Sequence, residues 1–413
     1  MAFSFVQRAL AEREQENLLR RVKTVSQQHQ GLVQIDGRFL INFASNDYLG
    51  LSQDQDVLQS YTEGLAAYGA SSSASPVICG HHQTHQNLET RLADLTGQQS
   101  AMLFSSGFAA NQAICQALAK PRPNHSTSMG IVFDKLMHAS FVEAAMAYAT
   151  AFYRFPHNCP ERCEAYLLDE KCTDYLIASE GVFSMDGDCA PVNKLIKLKT
   201  QAKNTWLMLD QAHAIGVIGE EGCGLHEQKQ YSSIDVVMGT FGKALGTQGA
   251  FIAGSSDLIL YLQNFARHYV YSTALSPALA KATDTALTKM IETSYRTVLH
   301  ENIVLFRALC NENEISICDS LSAIQPIVIR GNGSVVQAAE CLGELGLLVG
   351  AIRSPTVPKH AERLRITLSA LHTQKDIESL VDGLSILREK MGVSFGLVDQ
   401  GMADQGKAKA DFS

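Results

Sequence analysis

Three segments of the sequence place chemically active side chains directly after short apolar runs that are typical of buried strands. Asp210 ends one such run and His213 follows it, while Lys243 lies in a glycine-rich turn after another. The third segment, Ser105–Asn111, is a Ser/Gly turn that opens a helical pattern. Ligands of open α/β sheets bind at the carboxyl ends of strands, so these positions are candidates for a binding site.

Each segment taken alone has an ordinary explanation. Asp210 is equally typical of a helix N-cap. Lys243 is also typical of a surface turn, and Ser105–Asn111 is also typical of simple helix capping. The chemical alternatives are a carboxylate that pairs with a protonated ring nitrogen, a desolvated amine that attacks carbonyl groups, and a helix start that binds phosphate.

The combination of the three segments is more specific than any one of them. Pyridoxal 5'-phosphate (PLP) is an aldehyde that needs an amine, and it carries a pyridinium that needs an anion and a phosphate that needs N–H donors. The three segments supply these groups. The dinucleotide motif Gly-x-Gly-x-x-Gly and the phosphate-loop motif are absent from them, which disfavours the alternative from another class, a nucleotide-binding α/β protein.

Longer stretches around these residues resemble a known family. They are Asn42–Leu51, Ser106–Gln112, His138–Ser140, Glu180–Gly187, Asp210–His213, Thr240–Lys243, Ala266–His268, Tyr271–Thr273 and Arg353–Pro358. The sequence is similar to the α-oxoamine synthases, from about residue 5 to 388. The resemblance implies an α/β protein of the aspartate-aminotransferase-like fold type I of PLP enzymes, with a large domain around a mostly parallel sheet and a small C-terminal α+β domain. Asp319–Pro326 and Ala351–Pro358 resemble the biotin branch of this family.

The resemblance implies roles around the cofactor ring. Lys243 is expected to bond to the cofactor aldehyde and then to carry the substrate's α-proton. Asp210 is expected to pair with the pyridinium nitrogen, and His138 to stack on the ring. Without the family context, His138 is more typical of a histidine at a helix start. His213 and Ser184 are expected to hydrogen-bond the phenolate oxygen.

Phosphate binding is expected from Gly107, Phe108 and Thr240, with Ser272 and Thr273 contributed by a partner subunit.

Substrate binding is expected from four residues outside this group. Arg353 matches the arginine that grips the amino-acid carboxylate as a fork, a geometry that lysine does not reproduce. Asn46 and Thr356 belong to matching stretches and are expected to assist. Arg20, assigned here to an N-terminal helix, matches a substrate-proximal arginine, and it is equally typical of a solvated charge on a helix face. No metal is implied.

Three departures from the family pattern stand out. Gln211 replaces the acidic residue that usually follows the strand-end aspartate. Ala214 and Ile215 replace the usual Gly-Thr, and Ser71–Pro76 replaces a glycine-rich loop. That loop is expected near the dimer interface and the substrate entrance.

The implied reaction is a PLP-dependent decarboxylative condensation of L-alanine with a pimeloyl thioester, carried by acyl carrier protein or coenzyme A. An acidic carrier needs only a local basic patch such as Arg20, Arg21 and Lys23. Two alternatives stay within the family. One is an α-oxoamine synthase that uses glycine or serine, such as a 2-amino-3-ketobutyrate CoA ligase, and the other is a non-catalytic subunit of the same fold. A homodimer is expected.

Composition sets the protein class. The chain has 413 residues, 46% hydrophobic and 18% charged, which is typical of globular proteins. Its net charge of −8 argues against a nucleic-acid partner, and no apolar run is long enough for a membrane span or a signal segment. The 10 cysteines form no disulfide or zinc pattern. These features predict a cytoplasmic protein with reduced thiols.

Hydrophobic periodicity predicts the elements that position the site. An amphipathic helix over residues 3–28 and short β segments at 32–35 and 39–43 come first. Predicted helices follow at 56–68, 83–95, 108–118, 140–148 and 192–201, alternating with predicted strands at 100–104, 130–133, 175–179, 205–209, 236–239 and 250–253. This alternation indicates βαβ units.

The C-terminal third shows a different pattern. A long helix is predicted from 277 to 310, and strands at 323–329, 347–352 and 363–367 with helices at 334–345 and 373–390 come after it. The predicted organisation is an N-terminal segment (1–45), a large PLP-binding domain (46–290), a C-terminal domain (291–390) and a flexible tail (391–413).

Overall fold

The computed structural model describes residues 2–119, 128–167, 172–225, 233–292, 294–392 and 395–396; most of the predicted tail lies outside them. The helices are α1 (Phe5–Gln15), α2 (Gln55–Tyr68), α3 (Gln83–Leu95), α4 (Gly107–Ala119), α5 (Ala139–Tyr148), α6 (Glu164–Leu167), α7 (Val192–Gln201), α8 (Ser256–Phe265), α9 (Arg267–Val270), α10 (Pro277–Glu292), α11 (Tyr295–Glu312), α12 (Asn332–Glu344) and α13 (Gln374–Met391). The strands are β1 (Val25–His29), β2 (Leu32–Ile35), β3 (Arg38–Asn42), β4 (Ser100–Phe104), β5 (Met129–Asp134), β6 (Ala151–Phe155), β7 (Asp174–Glu180), β8 (Thr205–Asp210), β9 (Val236–Thr240), β10 (Ala250–Gly254), β11 (Ile324–Val328), β12 (Leu347–Leu348), β13 (Gly350–Ile352) and β14 (Arg363–Thr367).

A seven-stranded sheet forms the framework of the site. Its strand order is β4-β10-β9-β8-β7-β5-β6. The pairs from β9 to β6 are parallel, and β10 alone runs antiparallel to its neighbours β4 and β9. Every residue of β5 and β10 is buried, as expected for a sheet covered by helices on both faces. The predicted mostly parallel sheet is confirmed.

Packing groups the described residues into two units. The sheet unit comprises those within 51–184 and 188–296, and it contains the seven-stranded sheet. The N/C unit comprises those within 1–50, 185–187 and 297–399, and it contains the sheets β1-β2-β3-β12 and β11-β14-β13. The N-terminal segment therefore groups with the C-terminal segment.

The predicted N-terminal helix over residues 3–28 was wrong beyond its first half. Helix α1 ends at Gln15, and Asn17 has a φ of 58° in the left-handed region, which stops a helix. Residues 25–29 instead form β1, which pairs antiparallel with β2. No residue of α1 is buried. The apolar side of the predicted helix therefore has no packing partner that would stabilise a longer helix. Arg20 therefore lies after the helix and not on its face.

Two C-terminal elements are divided where one was predicted. The predicted helix from 277 to 310 forms α10 and α11, and the Arg296 side chain donates to the Met290 carbonyl near the end of α10. That contact gives a terminal helix carbonyl a partner outside the helix. The predicted strand at 347–352 forms β12, which pairs with β3, and β13, which pairs with β14. The sequence analysis also missed β6, α6, α8 and α9.

Helices α2 and α10 cross closely at Gly64, and this crossing gives a stability prediction. A Cβ atom on Gly64 would lie 2.7 Å from the Ala278 Cα atom. We expect Gly64→Ala to destabilise the protein by about 1–3 kcal/mol, because backbone must move to admit the methyl group. Thermal melting followed by circular dichroism measures the change.

The matched control is Gly343→Ala on α12, where an added Cβ meets nothing within 4 Å. It should leave the melting temperature unchanged or raise it slightly, since alanine favours a helix by roughly 0.5–1 kcal/mol over glycine. Equal melting temperatures for the two variants would contradict the close crossing.

Candidate active site

Three neighbouring parallel strands end in polar side chains at one edge of the sheet. Glu180 ends β7, Asp210 ends β8 and Thr240 ends β9. Glu180 and Asp210 are paired across the strands in register. Because parallel strands present their carboxyl ends at the same edge, the sheet brings these residues together.

Asp210 is held by two hydrogen-bond donors. It is 5% exposed, and its Oδ1 atom accepts from the Ala212 backbone N–H at 3.0 Å. The side-chain amide of Asn111, on α4, donates to Asp210 Oδ2 at 3.3 Å. The carboxylate is therefore fixed in orientation at the strand end, as a group that must face a ring nitrogen needs to be.

A hydrogen-bonded chain connects Asp210 to His138. Asn111 also donates to Ser140 Oγ at 3.0 Å, and Ser140 Oγ lies 2.8 Å from Nδ1 of His138. His138 caps α5, and its Nδ1 atom accepts from the Ser140 backbone N–H. His138 is exposed as a whole residue, yet partial burial of its ring lowers its pKa. The charge of Asp210 opposes this shift, and the charge of Lys243 adds to it. The ring is thus neutral and oriented.

Lys243 lies in the turn that joins β9 to the antiparallel strand β10. The turn is closed by hydrogen bonds from Phe241 N to Gly249 O and from Gly246 N to the Lys243 carbonyl, both at 2.9 Å. Gly246 has a φ of +65°, and a Cβ atom there would lie 2.2 Å from Ser52 N, so only glycine fits. Lys243 is half-buried, and its charge acts on the pKa of both His138 and Glu180. The lysine therefore belongs to the same cluster.

The start of α4 lies against the end of β9. A Cβ atom on Gly107, the first residue of α4, would lie 2.8 Å from Thr240 Cγ2. The Thr240 hydroxyl oxygen is buried and finds no hydrogen-bond partner among the described residues. A close approach at glycine, a helix N-terminus and an unsatisfied hydroxyl fit a bound phosphate group.

Glu180 is a site residue that the sequence analysis did not assign. It is 2% exposed, and one oxygen, Oε2, accepts from the Ser184 backbone N–H at 3.1 Å. Burial raises the pKa of Glu180 well above its usual range, and the charge of Asp210 raises it further, while Lys243 and the Ser184 N–H oppose the shift. Glu180 is therefore harder to ionise than an exposed glutamate. Its position at a strand end, like that of Asp210, was the signal that could have identified it.

Three of the four predicted substrate residues line one pocket of the N/C unit. Arg20, Arg353 and Thr356 surround a space of about 100 Å³, together with Arg13 and other neighbours. Arg20 donates to Thr356 Oγ1 at 3.2 Å, and Arg353 donates to the Asn17 carbonyl at 2.6 Å. Burial lowers the pKa of Arg353, and the charge of Arg20 lowers it further. Clustered guanidinium groups of this kind suit a carboxylate or phosphate ligand.

The fourth substrate residue and the predicted partner-subunit residues lie elsewhere. Asn46 does not line this pocket, and its Oδ1 atom accepts from Arg365 at 3.1 Å. Ser272 and Thr273 precede Ala274, whose backbone N–H donates to the Ala74 carbonyl at 2.9 Å. They therefore neighbour the serine-rich loop 71–76.

Comparisons with known proteins agree with this arrangement. A family model described as aminotransferase class I and II matches residues 39–384. The 8-amino-7-oxononanoate synthase of Cellvibrio japonicus is 38% identical over 95% of this chain and 97% of its own length, and that of Methylococcus capsulatus is 40% identical over 91% and 96%. The chain belongs to the 8-amino-7-oxononanoate synthase family.

Solved structures extend the family assignment to the cofactor. A high-resolution structure of SPT with PLP as an internal aldimine is 25% identical, with a TM-score of 0.87 over 95% of this chain and 100% of that chain. The 8-amino-7-oxononanoate synthase of Francisella tularensis is 27% identical, with a TM-score of 0.72 over 86% and 99%. The predicted fold type, acyltransferase class and PLP cofactor are confirmed.

The departure from the family pattern at position 211 is accommodated by packing. The Gln211 side chain is fully buried, and its Oε1 atom accepts from the Leu225 backbone N–H at 3.1 Å. A Cβ atom on Gly181 would lie 2.2 Å from the same oxygen. Gln211 is a neutral amide, whereas the acidic residue usual in the family would add a third carboxyl group to Glu180 and Asp210.

The described residues lack two features. No helix among them is long and apolar enough to cross a membrane. No group of three or more metal-ligating side chains occurs in the same part of the chain.

Proposed function

We propose that this chain condenses L-alanine with a pimeloyl thioester to give 8-amino-7-oxononanoate, carbon dioxide and a free thiol. The observation that carries the proposal is the cluster at the edge of the sheet, in which Asn111 and Ser140 link Asp210 to His138 and the charge of Lys243 acts on the same histidine. Lys243, Asp210 and His138 are suited to removing the α-proton of an amino acid, which lies next to the amino acid's carboxylate. A non-catalytic relative has no need of them.

Bound PLP would supply an electron sink for the negative charge left when the α-proton of alanine departs. Lys243 would hold the cofactor through its aldehyde, and its Nζ atom would carry the α-proton of alanine away and later return one. Asp210 keeps the ring nitrogen protonated, which maintains the sink. The neutral imidazole of His138 covers a ring face.

Other residues fix the remaining edges of the cofactor. Gly107, Phe108 and Thr240 bind the phosphate, using the helix N-terminus and the unsatisfied hydroxyl. Ser184 and His213 hydrogen-bond the phenolate oxygen, and both side chains are mostly buried. Fixed contacts around the ring hold the reacting atoms in one geometry.

We assign substrate recognition to the arginine pocket of the N/C unit. Arg353 binds the alanine carboxylate, and Arg20 and Thr356 bind next to it. Asn46, which does not line this pocket, contacts the substrate separately. The thioester is carried by coenzyme A or by acyl carrier protein. For an acidic carrier protein, the exposed basic residues Arg21 and Lys23 provide a docking patch.

Arg353→Lys should raise the KM for L-alanine by about 10- to 100-fold, because a forked charged hydrogen bond is worth roughly 1.5–3 kcal/mol and lysine cannot form it. The KM for the thioester should change little. Steady-state kinetics with each substrate varied in turn gives both values. Arg38→Lys, on an exposed arginine of β3 in the same unit, is the control and should leave both values unchanged. An unchanged KM for alanine in Arg353→Lys would refute this role.

We also propose that the chain acts as a cytoplasmic homodimer. Large apolar side chains stay exposed at Ile78, Phe108 and Tyr271, at 78%, 48% and 77% of their surface. A partner subunit that covered these side chains would remove their apolar surface from water. Ser272 and Thr273 then reach the partner's phosphate site. Light scattering of the purified protein should give twice the monomer mass.

The function is tested by product analysis. The purified protein with PLP is given L-alanine, glycine or L-serine, each with pimeloyl-CoA or with pimeloyl acyl carrier protein, and the products are identified by mass spectrometry. We expect 8-amino-7-oxononanoate from L-alanine and little product from the other two amino acids. Preferential turnover of glycine or serine would instead identify a different α-oxoamine synthase.

A further inference from the structure

A second group of charged side chains lies at the same end of the sheet, next to the residues assigned to PLP. Asp134 ends β5 and is fully buried, and His157 follows β6 in the next turn. His157 Nδ1 lies 3.1 and 3.2 Å from the two oxygens of Asp134, and its Nε2 lies 2.7 Å from Asp188 Oδ2. The proposed reaction makes no use of these residues.

The geometry requires a charged histidine. Each ring nitrogen faces a carboxylate, and only the imidazolium donates from both nitrogens at once. Burial opposes this charge, but hydrogen bonds to Asp134 and Asp188 raise the pKa of His157 to about 10. At neutral pH the group is therefore an imidazolium held between two carboxylates.

The neighbouring residue strengthens the same connection. The backbone N–H of Asn158 donates to Asp134 Oδ2 at 2.8 Å, and its side-chain amide donates to Asp188 Oδ2 at 2.8 Å and to the Cys189 carbonyl at 3.1 Å. Two consecutive residues thus bind both the end of β5 and the segment around Asp188.

The segment around Asp188 closes a short hairpin that carries Ser184. In this hairpin, residues 181–190, Phe183 N donates to Asp188 O and Ala190 N donates to Gly181 O, each at 3.0 Å. The Phe183 ring meets the His157 ring edge-on, with centroids 4.4 Å apart. Ser184 follows directly after Phe183, and its backbone N–H is bound to Glu180. The orientation of Ser184 therefore depends on a hairpin that His157 contacts on both arms.

We infer that His157, held between Asp134 and Asp188, is a positioning residue that clamps the 181–190 hairpin and thereby aims Ser184 at the cofactor. This inference rests on the proposed contact of Ser184 with the phenolate oxygen. His157 does not touch the reacting atoms. It acts by limiting the positions that Ser184 can adopt.

The test is a double-mutant cycle read out on the cofactor. His157→Gln and Ser184→Ala are made singly and together, and the PLP dissociation constant and visible absorption maximum of each protein are measured. We expect His157→Gln to weaken PLP binding roughly tenfold and to shift the band in the wild-type background, but to have little further effect when Ser184 is already alanine. A merely stabilising residue would lower the melting temperature without this coupling.

Two further variants keep the test decisive. Asp188→Asn removes a charge from the clamp and keeps an acceptor, so it should show the same coupling to Ser184 if His157→Gln fails to fold. Lys199→Gln breaks a comparably buried ion pair, with Asp235 just before β9, and should leave the band unchanged. Equal effects of His157→Gln in both backgrounds, or no effect of Ser184→Ala, would overturn the inference. Covalent attachment of PLP to Lys243 would stand in either case.

Discussion

Lys243→Ala is expected to reduce the condensation rate by at least about 10³-fold, because it removes both the amine that bonds to the cofactor and the base that moves the α-proton. The fold should persist. The turn around Lys243 is closed through its backbone carbonyl, which the substitution keeps. The visible band of the bound cofactor should shift to that of non-covalently held PLP. Product formation and the absorption spectrum of the same sample measure both effects.

Two controls separate chemistry from charge. Lys243→Arg keeps a positive charge and should be nearly as inactive, because a guanidinium neither forms the bond nor accepts the proton at neutral pH. Lys281→Ala removes a lysine that is ion-paired with Glu63 on the surface, and it should leave the rate unchanged within about twofold. Retained activity in Lys243→Ala would refute the assignment of this residue.

Asp210→Asn is the second large effect that we expect. The amide fits the same space and can still accept from Ala212 N, but it no longer stabilises a protonated ring nitrogen. Loss of one preorganised electrostatic group typically lowers kcat by roughly 10²–10³-fold, and we expect a fall in that range. Because the charge of Asp210 also supports protonation of Glu180, the substitution should lower the pKa of Glu180.

Steady-state kcat and the cofactor content of the purified variant distinguish the causes. With saturating PLP, kcat should remain low even when the protein is fully loaded. Asp174→Asn, at the exposed start of the neighbouring strand β7, is the matched control and should have wild-type kcat. If added PLP restored full activity to Asp210→Asn, the residue would serve binding alone and the proposed role would be wrong.

Much of the sheet unit was predictable because its signals are local. Apolar runs of strand length marked β4, β8 and β9, and the polar residues at or directly after the end of each run marked the binding edge. Helices α3 and α7 begin and end at the predicted residues. In each of these elements, periodicity and burial point to the same structure.

Features that depend on distant contacts were not predictable in the same way. Arg20 was assigned to a helix because its surroundings are periodic, yet Asn17 stops the helix before it. Asn111, Glu180 and His157 gained their roles only when the sheet brought together residues that are far apart in sequence. Hydrogen bonds across such separations leave no periodic trace. The segment that contains Asn111 was marked by its turn after a predicted strand, and only the family resemblance had pointed to the stretch that contains Glu180.

The most direct test of the central claim is to fix the cofactor on the protein by chemical reduction. The PLP-loaded protein is treated with borohydride, digested and analysed by mass spectrometry, with and without prior addition of L-alanine. We predict that the reduced cofactor is found on the peptide that contains Lys243, and that prior L-alanine removes this label because the substrate displaces the lysine. A label on a different lysine, no label, or a label on Lys243 that L-alanine does not diminish would contradict the account.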